Sequence, residues 1–162
     1  MTIGIDIRVL AGDKRSGIEE YTENLLANLL PLDRSIKYKL FFSSARSDIV
    51  DYDWFELPNV QVSKFKISNR FLAFSSRFLG KPFVDKIIGG VDVFFSPHFL
   101  MTSLSPSCRR VVTFHDLSYV HYPEFFSWQQ NIWHNFEMKP MWQSRFADKI
   151  IAVSESTKND LV

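Results

Sequence analysis

The residue pair with the most chemical potential is His115-Asp116, which follows the run RRVVTF without a break. A strand that leads straight into His-Asp sets an imidazole and a carboxylate at the ligand-facing end of a sheet. Such an imidazole can donate a hydrogen bond or act as a general base near neutral pH. The ordinary alternative is a histidine satisfied within a structural turn, and the sequence leaves both readings open. His121 is close by, but His115, Asp116 and His121 lack helical i,i+4 spacing, so no metal centre is expected. Ser96-Pro97-His98 follows VDVFF and brings His98 to the same end of the sheet.

Two further loops are candidates. Gly12 and Gly17 have the glycine spacing of a phosphate-cradling loop. The next residues should be Lys and Ser/Thr, but they are Ile18 and Glu19, so an ATP- or GTP-binding loop is excluded. The spacing of a dinucleotide fingerprint is also absent. What remains is a strand–loop–helix entry where the backbone N–H of Gly17 can approach an anion or a sugar hydroxyl, or an ordinary turn. Ser16 and Glu19 fit a capping box at the start of the helix. After IIAV, Ser154-Glu155-Ser156-Thr157 offers hydroxyls suited to ligand oxygens or to capping, and capping is the commoner use of Ser154. No Gly-x-Ser-x-Gly is present, and Cys108 has no evident activating partner, so nucleophilic hydrolysis is unsupported.

Elements must place these groups. Ile3 to Leu10 reads as a strand with apolar residues at alternate positions. The helix from Ser16 shows an apolar face of Ile18, Tyr21, Leu25 and Leu29, with Leu26 alongside, and Pro31 ends it. Tyr38 to Ser43 and Val60 to Phe65 read as strands around an acidic loop. Asn69 to Ile88 is helical, interrupted near Gly80 and Pro82. Val91 to Ser96, Arg109 to Phe114 and Lys149 to Val153 are strands. Phe125 to Phe146 is a helical stretch broken at Pro140, and a last helix starts at Ser154. Several strands are continuously apolar, as central strands of a parallel sheet are when helices cover both faces. The predicted class is α/β, a doubly wound, mainly parallel Rossmann-like sheet in one domain over 1–162.

Composition narrows the function classes. The chain has 162 residues, with 19 Lys+Arg against 18 Asp+Glu and a net charge of +1. Whole-chain attraction to nucleic acid is not expected. Cys108 is the single cysteine, so an intrachain disulfide is impossible. No basic segment precedes an apolar run at the N-terminus, and no apolar run is long enough to span a bilayer. A cytoplasmic protein is expected.

Together, IGIDIRVL, SGIEEYTENLL, FFSPH, VVTFHDLSYVHYPEFF and ADKIIAVSESTKNDLV resemble the N-terminal domain of a GT-B glycosyltransferase of the large retaining family 4 (group 1). The resemblance implies transfer of a sugar from a nucleotide-sugar donor to a saccharide or lipid-linked acceptor, with no cofactor and no metal at the reaction centre. By motif match His115 is the catalytic histidine beside the transferred sugar. Gly17 lies in the glycine loop facing the donor phosphates and acceptor. Ser16, Asp116, His98, Ser154 and Glu155 are the candidate substrate-binding residues. Glu19 departs from the pattern, which often has a second glycine there, and its carboxylate repels phosphate. The family's nucleotide-binding C-terminal domain, with its pair of glutamates, is not in this sequence, so the chain is expected to be inactive alone. The competing reading is a non-enzymatic α/β module that binds a ligand or a partner.

The segment 64–90 carries six basic residues and one acid, interleaved with phenylalanines. It reads either as an interfacial helix on anionic lipid at the inner face of a membrane, or as a core-facing aromatic stripe with a solvated basic face. The i, i+3, i+7 spacing of Phe71, Phe74 and Phe78 favours the core.

Overall fold

The computed structural model describes residues 1–11, 16–98 and 100–161. Six strands form one parallel sheet: β1 (Thr2–Asp6), β2 (Lys37–Ser43), β3 (Val60–Phe65), β4 (Val93–Ser96), β5 (Arg109–Phe114) and β6 (Lys149–Ala152). Their order across the sheet is β3-β2-β1-β4-β5-β6. The chain runs outward from β1 in one direction and from β4 in the other, so the direction of winding reverses between these two neighbours. That reversal opens a crevice at the carboxyl ends of β1 and β4.

Strand parity divides the core. Ile5, Ile7, Tyr38, Leu40, Phe42 and Phe95 face one side, against Leu26 and Leu30 at the end of helix α1 (Gly17–Leu29). The intervening Phe41 and Phe94 face the other side. There they meet Leu72 of α2 (Asn69–Phe78) and Val84 of α3 (Val84–Ile87). Both faces of the central strands β1, β2 and β4 are therefore apolar and covered, as their hydrophobic runs require, while the edge strand β6 stays exposed. In α1 the fully buried line is Thr22, Leu26 and Leu30, one step round from the expected Ile18–Tyr21–Leu25–Leu29 face, which is only half-buried.

Two boundaries and one buried face differ from expectation. β1 stops at Asp6, and Arg8–Leu10 makes a 3-10 turn. The Asp6 carboxylate accepts from the Arg8 backbone N–H at 3.1 Å, which curls the chain out of the strand. The aromatic stretch after β5 is not one helix. It comprises α4 (Ser118–His121), α5 (Trp128–Trp133), a π-helical turn (His134–Met138) and α6 (Pro140–Phe146). Pro140 opens α6 rather than breaking a helix, because the first helical position needs no N–H, and Lys139 with φ 44° makes the reversal before it. Finally, Phe71, Phe74 and Phe78 are exposed, so the core-facing stripe is wrong. α2 instead buries Leu72 with the small residues Ala73, Ser75 and Ser76.

The described residues of the β4–β5 connection, 97–98 and 100–108, form no helix and yet are largely buried. Their polar groups need partners, since buried backbone without hydrogen bonds is costly. Four buried charges provide them. Asp6 and Arg8 pair at 2.6 Å, and Arg8 Nη2 also donates to Thr102 Oγ1 at 2.6 Å. Asp85 accepts from the Ser105 N–H at 2.7 Å and from its hydroxyl at 2.5 Å. Arg110 Nη2 donates to the Thr102 carbonyl at 2.7 Å.

Two stability predictions follow from this packing. A Cβ on Gly4 would sit 2.7 Å from the buried Phe94 ring, so Gly4→Ala should destabilise by about 1–3 kcal/mol in urea unfolding. A change under half of that would show that the ring gives way. Arg8→Met leaves the buried Asp6 charge unpaired and should cost about 3–5 kcal/mol, most of it recovered when Asp6→Asn is added. Additive losses in this double-mutant cycle would deny the coupling.

Candidate functional site

A cleft of about 440 Å³ opens at the carboxyl end of the sheet, where the winding reverses. β1 delivers Val9 and the start of α1 (Ser16, Ile18, Glu19) to its wall. β4 contributes His98 and Leu100, and β5 contributes His115 and Asp116. Asn69 enters from the start of α2. The remaining wall, Tyr119, Phe126, Trp133, His134 and Met138, comes from the stretch between β5 and β6.

His115 is fixed from three sides. Its Nε2 lies 2.7 Å from the Pro97 carbonyl oxygen, which can only accept, so Nε2 carries the proton. The Tyr21 ring meets it edge-on, with centroids 4.8 Å apart. Its own carbonyl accepts from Thr157 Oγ1 at 3.3 Å. A neutral ring held this way keeps Nδ1 as its acceptor. His98 lies beside it, with ring centroids 6.3 Å apart. Burial, and then the neighbouring His115, push the His98 pKa down to about 4.

The other expected residues divide into two groups. Ser16 and Asp116 line the cleft, but both are engaged locally. Glu19 accepts from the Ser16 N–H at 2.6 Å and from its hydroxyl, which completes the helix cap. Its negative charge is thus held at the amino end of α1, where the helix dipole favours it. Asp116 accepts from the Ser118 N–H at 2.8 Å and hydroxyl at 2.6 Å, a turn that opens α4. Gly17, Ser154 and Glu155 do not line the cleft. Gly17 opens α1, and Gly12 lies outside the described residues. Ser154 Oγ accepts from the Thr157 N–H at 3.1 Å and caps α7 (Glu155–Asp160), while Glu155 pairs with Lys158 at 3.3 Å. Capping is therefore the use of Ser154 here, and through Thr157 it supports His115. His121 turns away to Asp160 at 3.2 Å. Among the described residues no cluster of three metal-ligating side chains forms.

Sequence reasoning missed His134. It packs at a tilt against Tyr119 with centroids 4.0 Å apart, next to Phe126 at 5.5 Å. Burial lowers its pKa. Its position depends on the π-helical turn, a rare element that often marks functional sites. Three of the chain's four histidines thus converge on one cleft. Cys108, by contrast, is buried away from it, and desolvation pushes its thiol up to about 11. It is a packing residue.

The depressed His98 titration has a consequence for stability. The folded ring stays neutral above about pH 4, whereas the unfolded ring takes a proton below about pH 6.5. The unfolded state therefore binds more protons in this window, and stability falls as pH falls from about 6.5 to about 4, by on the order of 3 kcal/mol. Urea midpoints between neutral and mildly acid pH should fall less steeply in His98→Gln than in the wild type. Parallel acid limbs would contradict the assignment.

The match to known families agrees with this geometry. The model of Glycosyltransferase Family 4 covers residues 15–162. No curated protein and no solved structure matches the chain significantly. The family match spans nearly all of a domain whose crevice sits where a doubly wound sheet should carry one, and the chain belongs to glycosyltransferase family 4, as an N-terminal domain of that GT-B type.

Proposed function

We propose that this chain builds the acceptor-side wall of the cleft in a retaining glycosyltransferase. The enzyme transfers a sugar from a nucleotide-sugar donor to a saccharide or lipid-linked acceptor. The observation that carries this reading is the make-up of the cleft. It holds three imidazoles, the carboxylates of Glu19 and Asp116, and the rings of Tyr119, Phe126 and Trp133. A sugar ring calls for apolar flat surfaces against its C–H faces and a few directed polar atoms. The lining fits the sugar. In this reading the donor's diphosphate is held by the family's second, nucleotide-binding domain.

In this reading His115 orients a substrate hydroxyl through Nδ1, while its bond to the Pro97 carbonyl holds the ring at a fixed angle. Pre-setting the ring lowers the ordering cost of reaching the transition state. His98 and His134, both favoured neutral by burial, add polar contacts without adding charge. Neutral donors and acceptors suit hydroxyl recognition better than cations do.

The test is turnover by the full-length enzyme, followed as nucleoside diphosphate released from a panel of nucleotide-sugars with saccharide and lipid-linked acceptors. His115→Ala should lower kcat by about 10²-fold, as loss of a positioned polar group does. His121→Ala, at its exposed pair with Asp160, should leave kcat unchanged. An undiminished rate in a folded His115→Ala protein would remove this residue from the reaction.

A further inference from the structure

α2 is amphipathic in the reverse sense for a soluble domain. It packs Leu72, Ala73, Ser75 and Ser76 inward. Its phenylalanines point to solvent, with Phe71 at 59%, Phe74 at 52% and Phe78 at 59% exposure, followed by Leu79 at 71%. Phe74 and Phe78 contact each other, with ring centroids 4.7 Å apart, so the exposed rings form a patch rather than isolated side chains. Ser76 receives the Ser103 N–H at 3.2 Å, which anchors the small face to the buried β4–β5 connection and fixes the outward direction of the rings. Contiguous exposed apolar surface of this kind marks an interaction site.

The charge around the patch identifies its partner. Lys66, Arg70 and Lys81 are exposed about it. The single acid of the segment, Asp85, is fully buried against Ser105 and offers nothing to the surface. At the amino end of α2 a hollow of about 490 Å³ is lined by Ser44, Ala45, Arg46, Ser68, Asn69 and Arg70. Phenylalanines beside a basic, hydroxyl-lined hollow complement the two parts of an anionic lipid, acyl region and phosphate headgroup.

We propose that α2 docks this domain on an anionic bilayer. Phe71, Phe74, Phe78 and Leu79 enter the interfacial layer, and Arg46, Arg70 and Lys81 meet headgroup phosphates. The docked edge adjoins the cleft. Asn69 lines both the basic hollow and the cleft, and Arg77 of α2 bonds the carbonyl of Asn135 at 3.4 Å and lies 4.8 Å from the Phe136 ring in the π-helical turn of the cleft wall. Resting on the transferase reading above, docking makes the acceptor a lipid-linked sugar presented at the membrane surface.

Vesicle co-sedimentation tests the docking with no sugar present, so it fails or succeeds independently of transfer. The probes are phosphatidylcholine vesicles with and without phosphatidylglycerol. The chain should sediment with the anionic vesicles at low salt and at least about tenfold less with the neutral ones, and high salt should weaken binding. The exposed triple change Phe71→Ser, Phe74→Ser and Phe78→Ser should reduce partitioning about tenfold or more while thermal unfolding stays near the wild type. Arg46→Glu with Arg70→Glu should do the same only for anionic vesicles. No sedimentation with anionic vesicles at low salt, or binding unaffected by the triple change, overturns the proposal. So does a wild type that forms dimers through this face, with the triple variant monomeric and neither binding vesicles. Loss of vesicle binding in the triple variant, with transfer to a water-soluble acceptor retained, separates docking from catalysis in its favour.

Discussion

A buried connection without a helix is the feature on which the site depends. In a parallel sheet the step from β4 to β5 is usually made by a helix that satisfies its own backbone. Here the described residues of the connection, 97–98 and 100–108, are largely buried and form none, and charged side chains supply the hydrogen bonds instead. Asp6 neutralises Arg8, Arg8 and Arg110 meet the two oxygens of Thr102, and Asp85 holds Ser105. Removing any one partner would leave a charge or a carbonyl unpaired in a dry interior. The result is a rigid strip that carries His98 and the Pro97 carbonyl to the crevice.

That rigidity sets the chemistry of the cleft. The Pro97 carbonyl determines the tautomer of His115, and Tyr21 and Thr157 constrain it from α1 and from the start of α7. Elements from both halves of the sheet thus converge on one imidazole. The neighbouring histidines are desolvated and favoured neutral, so they present hydrogen-bonding atoms and ring faces to the cleft. Such a surface selects by shape and hydroxyl pattern, which is the discrimination a sugar-binding wall needs.

The reversed amphipathicity of α2 follows from the same connection. α2 buries the small residues Ala73, Ser75 and Ser76 beside Leu72, with Ser76 bonded across to Ser103. The phenylalanines at 71, 74 and 78 face outward. A periodic pattern shows that one face of a helix differs from the other. It does not show which face the core takes, because burial is decided by the space available as well as by hydropathy.

Much of the architecture was legible locally. The continuous apolar runs of β4 and β5 marked a two-sided sheet, Ser16 with Glu19 marked the start of α1, and the step from RRVVTF into His115 placed an imidazole at a strand end. These depend on short-range rules of alternation, capping and strand ends. Ser154 and Glu155 were grouped with the site because they follow a strand end, yet their oxygens go to Thr157 and Lys158. His134 gave no sequence signal, since its place in the cleft requires a π-helical turn and the reversal at Lys139. The sequence by itself determined the strands, the helix caps and the sheet class, because those are set by residues a few positions apart. Only the tertiary structure decided that three distant histidines share one cleft and that the α2 phenylalanines face outward, because both depend on which surfaces the sheet order brings together and how much room it leaves between them.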